Sequence, residues 1–162
     1  MILDVASHVL KHAGAPKTGR YMHQMVEKYS SDLGELAKMD LGSFYDSVRA
    51  VPYVDDPDLF GDSELLDGNI REVVGRPKYL LDSGTFPGLD CKKKSILMAS
   101  WAKENGIPYR FIAQSTSPDG EVHHVFPQIQ TGEGWLNVDP TYQEYEIGMA
   151  IPDTTNAVEL LP

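Results

Sequence analysis

The stretch Asp90-Cys91-Lys92-Lys93-Lys94-Ser95-Ile96-Leu97-Met98-Ala99-Ser100-Trp101-Ala102 carries the clearest periodic signal in the chain. From Ser95 to Ala102 its residues give a broad apolar face at helical spacing. Asn105-Gly106 followed by Pro108 is a C-terminal stop, and Asp90 is well placed as N-cap. The element is therefore a helix whose first residue, Cys91, follows a Gly- and Pro-containing loop at Gly84 to Asp90.

Cys91 is the chain's only cysteine, so it has no intramolecular disulfide partner and no thiolate-rich zinc site is available. A free thiol, with a pKa of about 8.5, is more than ~90% protonated at neutral pH, and a nucleophilic cysteine needs help. A helix N-terminus supplies unpaired N–H groups and roughly half a positive charge. The same groups suit a developing oxyanion, with the Cys91 amide as the first donor. Lys92 to Lys94 read most simply as a solvated first turn.

Downstream, Tyr109 to Gln114, Val122 to Ile129 and Trp135 to Val138 read as strands, separated by Pro118-Asp119-Gly120 and by a tight turn at Thr131 to Gly134. A helix followed by an antiparallel meander makes the class α+β. A general base for the thiol has two adjacent candidates, His123 and His124, of which alternation lets one face inward. With His124 inward, Val122 and Phe126 share its face; with His123, Val125 and Pro127 do, and the pattern slightly favours His124. Asp139, at the end of the next strand, can fix the imidazole tautomer.

Before Cys91 the chain reads as helical: Leu3 to Ala13, about Arg20 to Tyr29, Asp32 to Met39 and Ser43 to Ala50, with one or two further turns at Asn69 to Val74. Val54 to Asp67, rich in Asp, Pro and Gly, reads as a long exposed loop. His8 and His12 share a helix face at metal-ligand spacing, but Val9 breaks the zinc-protease pattern, and a solvated face is the better reading. Trp101 and Trp135 read as core. Tyr53 reads as a loop tyrosine packed on the surface, with a second oxyanion donor as the alternative.

The whole of residues 1–162 is expected to be one domain, since its length suits one core. A net charge of −10 argues against a phosphate-neutralising surface, so neither nucleic acid nor an anionic membrane is an expected partner. Without a basic stretch leading into an apolar run, and with no apolar window of spanning length, a reducing cytoplasmic setting is expected. No cofactor and no metal are expected.

Four blocks, Asp90-Cys91-Lys92-Lys93-Lys94-Ser95, Asn105-Gly106-Ile107-Pro108-Tyr109-Arg110-Phe111, His124-Val125-Phe126 and Gly134-Trp135-Leu136-Asn137-Val138-Asp139-Pro140-Thr141, together resemble the transglutaminase-like superfamily of papain-like cysteine enzymes. The resemblance covers about residues 85 to 142, the expected catalytic core, with residues 1–80 as a helical N-terminal part. It implies a papain-like arrangement of helix against antiparallel sheet and a Cys-His-Asp triad at Cys91, His124 and Asp139, which selects His124 over His123. The implied activity is acyl transfer, with hydrolysis of a peptide or protein amide favoured over transamidation. Val48 to Val54 with Asp56-Pro57 is more loosely similar to short transglutaminase-like proteins of tailed phages and prophages, so a non-catalytic assembly module is the alternative. Two features depart from the family pattern: Leu89 separates Gly88 from Asp90, and Lys92 and Lys93 stand where an acidic pair often follows the cysteine.

Overall fold

In a computed structural model, the helix predicted after Asp90 spans Cys91–Glu104 and is buried along its whole middle, from Lys93 to Ala102. A one-faced helix was expected; this one is enclosed on nearly every side, as a central core helix is. The structure describes residues 7–11, 15–56 and 70–162, with side chains from 15–56 and 73–162. In chain order the elements are β1 (Ser7–Lys11), α1 (Ala15–Tyr29), a 3₁₀ helix (Ser30–Lys38), α2 (Leu41–Ala50), β2 (Ile70–Gly75), α3 (Pro77–Leu80), α4 (Cys91–Glu104), β3 (Tyr109–Ser115), β4 (His124–Thr131), β5 (Gly134–Asn137) and β6 (Asn156–Leu160).

The Asp90 carboxylate caps α4 by accepting from the Lys93 N–H at 3.0 Å. At the other end Gly106 takes a positive φ of 67° and the Ile107 N–H returns to the Ala102 carbonyl at 2.9 Å, which gives a last-turn carbonyl a partner. Around α4 pack α1, the 3₁₀ helix, α2 and α3, and β4 lies against it. The shared core joins Met22, Phe44, Tyr45, Ile96, Leu97 and Phe111, each almost wholly buried, at roughly 1.5–3 kcal/mol per large apolar side chain.

Strands β3, β4 and β5 form the expected meander, with Gln114 opposite His124 and Gln128 opposite Asn137. β6, which the sequence pattern did not announce, pairs with the other edge of β3 and gives an antiparallel sheet of order β5-β4-β3-β6. The close approach of α1 to β6 depends on Gly19: a Cβ there would lie 2.7 Å from Leu160 Cβ. His23 adds a bond at the same seam, Nε2 to the Leu160 carbonyl at 2.9 Å.

The N-terminal part is less helical than its periodicity predicts. Within the expected Leu3–Ala13 helix, residues 7–11 are strand β1, and Asn69–Val74, expected to be helical, contributes strand β2; the two pair antiparallel with Ser7 opposite Gly75. Each segment is too short for its local periodicity to decide, and the pairing satisfies the backbone of both. The remainder of the first segment, including His12, and most of the Val54–Asp67 loop lie outside the described residues. Where a helix was expected over Asp32 to Met39, the 3₁₀ helix Ser30–Lys38 is kinked at Gly34, whose φ of 52° and ψ of −126° are open to glycine.

Candidate functional site

The loop before α4 brings Cys91 to the helix N-terminus. The Leu89 N–H donates to the Pro52 carbonyl at 2.9 Å, and Leu89 itself is fully buried. Gly88 lies so close to the 52–54 segment that a Cβ would sit 2.8 Å from Val54 Cβ and 2.9 Å from the Pro52 oxygen. The Gly-Leu-Asp spacing is thus seated in the core rather than looped out.

His124 opens β4, and its Nε2 lies 2.6 Å from Asp139 Oδ2. Cys91 lies beside the imidazole, the two lining one cavity. Burial opposes charge on this ring, but the bond to Asp139, the neighbouring Cys91 and the Asp139 charge outweigh it, raising the His124 pKa to about 10. The core face of β4 carries Val125 and Ile129, and Phe126 is buried outside that cluster. Phe126 shares the face of His124, as alternation predicts, its buried ring stacked on the imidazole with centroids 6.0 Å apart; the opposite face, with Val125, is buried as well. His123 is exposed and turns to Thr116 Oγ1 at 3.1 Å and the Glu121 carbonyl at 3.2 Å.

Asp139 is 3% exposed and fixed on all sides. Its Oδ1 accepts from the Thr141 N–H at 3.0 Å and from Thr141 Oγ1 at 2.5 Å, which leaves Oδ2 for the histidine. Its backbone carbonyl accepts from the Tyr45 hydroxyl at 2.7 Å. Behind it, Lys94 donates to the carbonyls of Arg49, Pro140 and Thr141 at 3.2, 3.2 and 3.3 Å, and burial pushes its pKa down to about 8.

The lysine run is not the solvated turn its composition suggests. Lys93 is wholly buried between Asp56 and Asp90, bonded to Asp56 Oδ1 and 3.1 Å from Asp90 Oδ2. Lys92 reaches Asp90 Oδ2 at 2.7 Å and Asp56 Oδ2 at 3.8 Å. Two carboxylates and two ammonium groups thus form a closed, neutral cluster beneath the nucleophile. Burial works against the Asp90 charge, yet Lys93 and Lys92 hold its pKa below the usual carboxylate range. Burial and the neighbouring Asp90 push Asp56 up. The physical reason is placement: α4 is a central helix, so even its first turn finds protein rather than water, and buried charges must pair.

On the open side, Tyr142 stacks on His124 with centroids 6.3 Å apart, and Tyr53 stacks on Tyr142 at 5.4 Å. Both tyrosines keep more than a third of their surface exposed. The Tyr53 hydroxyl donates to Asp55 at 2.7 Å. Trp101 is core, as expected; Trp135 is 39% exposed, with the Arg110 guanidinium 4.3 Å from its ring centroid. On the other side of the nucleophile a cavity of about 220 Å³ opens against Cys91 and His124. Its walls include Met22 of α1, Ala113 of β3 and Leu160 of β6, none of which the sequence motifs point to. Thr141 had a readable signal, the Asp-x-Thr spacing of an Asx turn; Lys94, Asp56 and the cavity walls had none. Among the described residues, no group of three or more His, Cys, Asp or Glu side chains is arranged to hold a metal ion, and no helix is long and apolar enough to cross a membrane.

Residues 67–140 match the family model described as the transglutaminase-like superfamily, whose members are typically cysteine-dependent acyl-transfer enzymes. No curated protein and no solved structure matches the chain.

Proposed function

We propose that this transglutaminase-like chain is a cysteine-dependent amide hydrolase in which Cys91, His124 and Asp139 act as nucleophile, base and orienter. The observation that carries the reading is the His124 Nε2–Asp139 Oδ2 bond at 2.6 Å on an imidazole that shares one cavity with Cys91 at the α4 N-terminus. With Nε2 committed to Asp139, Nδ1 is the nitrogen left for the sulfur.

The Cys91 thiol gives its proton to His124, and the thiolate attacks the amide carbonyl. The raised pKa of the ring favours the imidazolium, which stabilises the thiolate beside it. The tetrahedral oxyanion takes hydrogen bonds from the N-terminal N–H groups of α4, that of Cys91 first. As the C–N bond breaks, the imidazolium protonates the leaving amine, and a thioester remains on Cys91. Water, deprotonated by His124, then releases the acid. Water is the favoured acceptor because the Tyr142 side of the imidazole is open to solvent.

Replacing Cys91 by Ala is expected to abolish both amidase turnover and labelling by iodoacetamide, read by intact-mass spectrometry. His124→Ala should slow alkylation at pH 7 by at least ~10-fold, because the base that takes the thiol proton is gone. Turnover retained by Cys91→Ala, or an alkylation profile indifferent to His124, refutes the assignment and favours a non-catalytic assembly module.

A further inference from the structure

We infer that the cavity beside Cys91 is an acyl-group pocket that selects an uncharged aliphatic side chain, attached within a few bonds of the attacked carbonyl. The inference rests on the proposed nucleophile and adds the class of substrate that it takes.

The cavity is lined by the nucleophile and base themselves, so a group bonded to the sulfur enters it without crossing open solvent. About half of its lining is apolar, drawn from α1, β3, β4, β6 and the segment before β4 through Met22, Ala113, Val125, Leu160 and Val122; the polar half is Thr18, Lys92, His123 and the Cys91–His124 pair. Met22 is fully buried, while Val122 is half-buried at the rim. At about 220 Å³ the space exceeds the ~150 Å³ in which an apolar cavity accepts benzene, so a branched or linear chain of four or five carbons fits.

The charges at the rim are already spent within the protein. Lys92 is the charged residue of the α4 side, and its ammonium is held by Asp90 and Asp56. His123 on the β4 side turns its nitrogens to Thr116 and Glu121. The Cys91–His124 pair is neutral whichever of the two holds the proton. A charged substituent would lose its hydration there and, among the described residues lining the cavity, find no free counter-charge.

The walls are also fixed in advance of binding. Leu160 is held against α1 by the close approach at Gly19, and its carbonyl is bonded by His23, itself buried. Preformed, rigid walls make length and charge discrimination possible without ordering cost.

The test uses alkyl methanethiosulfonates, which need only the sulfur and not a working hydrolase. The Cys91 thiolate attacks the alkyl-bearing sulfur, a disulfide bond forms, the S–SO₂ bond breaks, and methanesulfinate leaves with the electron pair. The thiol proton passes to His124 or to solvent. Second-order rates are measured by intact mass for methyl, butyl, 2-sulfonatoethyl and 2-(trimethylammonio)ethyl reagents, each normalised to its rate with free cysteine. We expect butyl to exceed methyl by about tenfold, because three more methylenes leave water, and both charged reagents to fall below methyl. Val122→Trp at the half-buried rim should erase the butyl advantage, and so should Ala113→Leu from the floor, with thermal unfolding showing that each variant is folded. Equal normalised rates, a charged reagent reacting fastest, or a butyl preference that survives a folded Val122→Trp overturns the pocket. Absence of amidase activity in the unaltered protein would sink the hydrolase and leave this result standing.

Discussion

Asp139 shows how much of a candidate site is decided by one side chain's partners. Thr141 occupies its Oδ1 twice, so Oδ2 has a single direction in which to accept, and His124 lies there at 2.6 Å. The ring's pKa of about 10 in the folded protein, against an ordinary 6.5, has a definite thermodynamic sign. The folded state binds the proton more tightly, so the stabilisation is complete below about pH 6.5 and is lost as pH rises through 10. Each tenfold gain in proton affinity on folding is worth roughly 1.4 kcal/mol, so several kcal/mol depend on this ring. Asp139→Asn should therefore flatten stability between pH 7 and pH 10, measured by urea unfolding at both. It should also reduce turnover by ~10³–10⁴, the cost of presenting the wrong tautomer. A variant as pH-sensitive as the parent would show that Asp139 does not govern the ring.

The N-terminal turn of α4 joins a cap and a buried ion cluster in one residue. Asp90 accepts the Lys93 N–H, and its other oxygen faces the ammonium groups of Lys92 and Lys93. Removing it leaves those two cations with Asp56 alone, and breaking a buried pair costs about 3–5 kcal/mol. We expect Asp90→Ala to lose stability on that scale and Asp90→Asn to lose about 1 kcal/mol less, since the amide oxygen still caps the helix. Denaturant midpoints of the two variants decide it; identical losses would mean the cap contributes nothing. The lysine run misled at this scale because composition reports charge and not depth. Three consecutive lysines look solvated until a neighbouring segment supplies Asp56, which stands 37 positions before Lys93 in the chain.

At the scale of the whole molecule, β6 closes the sheet beside β3 and supplies the far wall of the cavity through Leu160. Truncation after Thr155 is expected to expose the β3 edge, deprive His23 of its acceptor and open the pocket. The shortened chain should unfold at lower temperature, aggregate more readily in light scattering and lose any preference for butyl over methyl reagents. Retention of that preference would remove β6 from the pocket. The α4 helix, its Asp90 cap and Gly106 stop, and the three-strand meander were legible from residue pattern alone, because each is specified by neighbours within a few positions. So was the order Cys91, His124, Asp139, which four spaced blocks made readable. What local pattern missed depends on partners distant in sequence: the pairing of β1 with β2, the addition of β6, the depth of Lys93 and Lys94, and a cavity walled by α1, β3 and β6. Periodicity and capping are properties of a segment, whereas strand pairing, charge burial and cavity shape exist only between segments, so folding alone decided them.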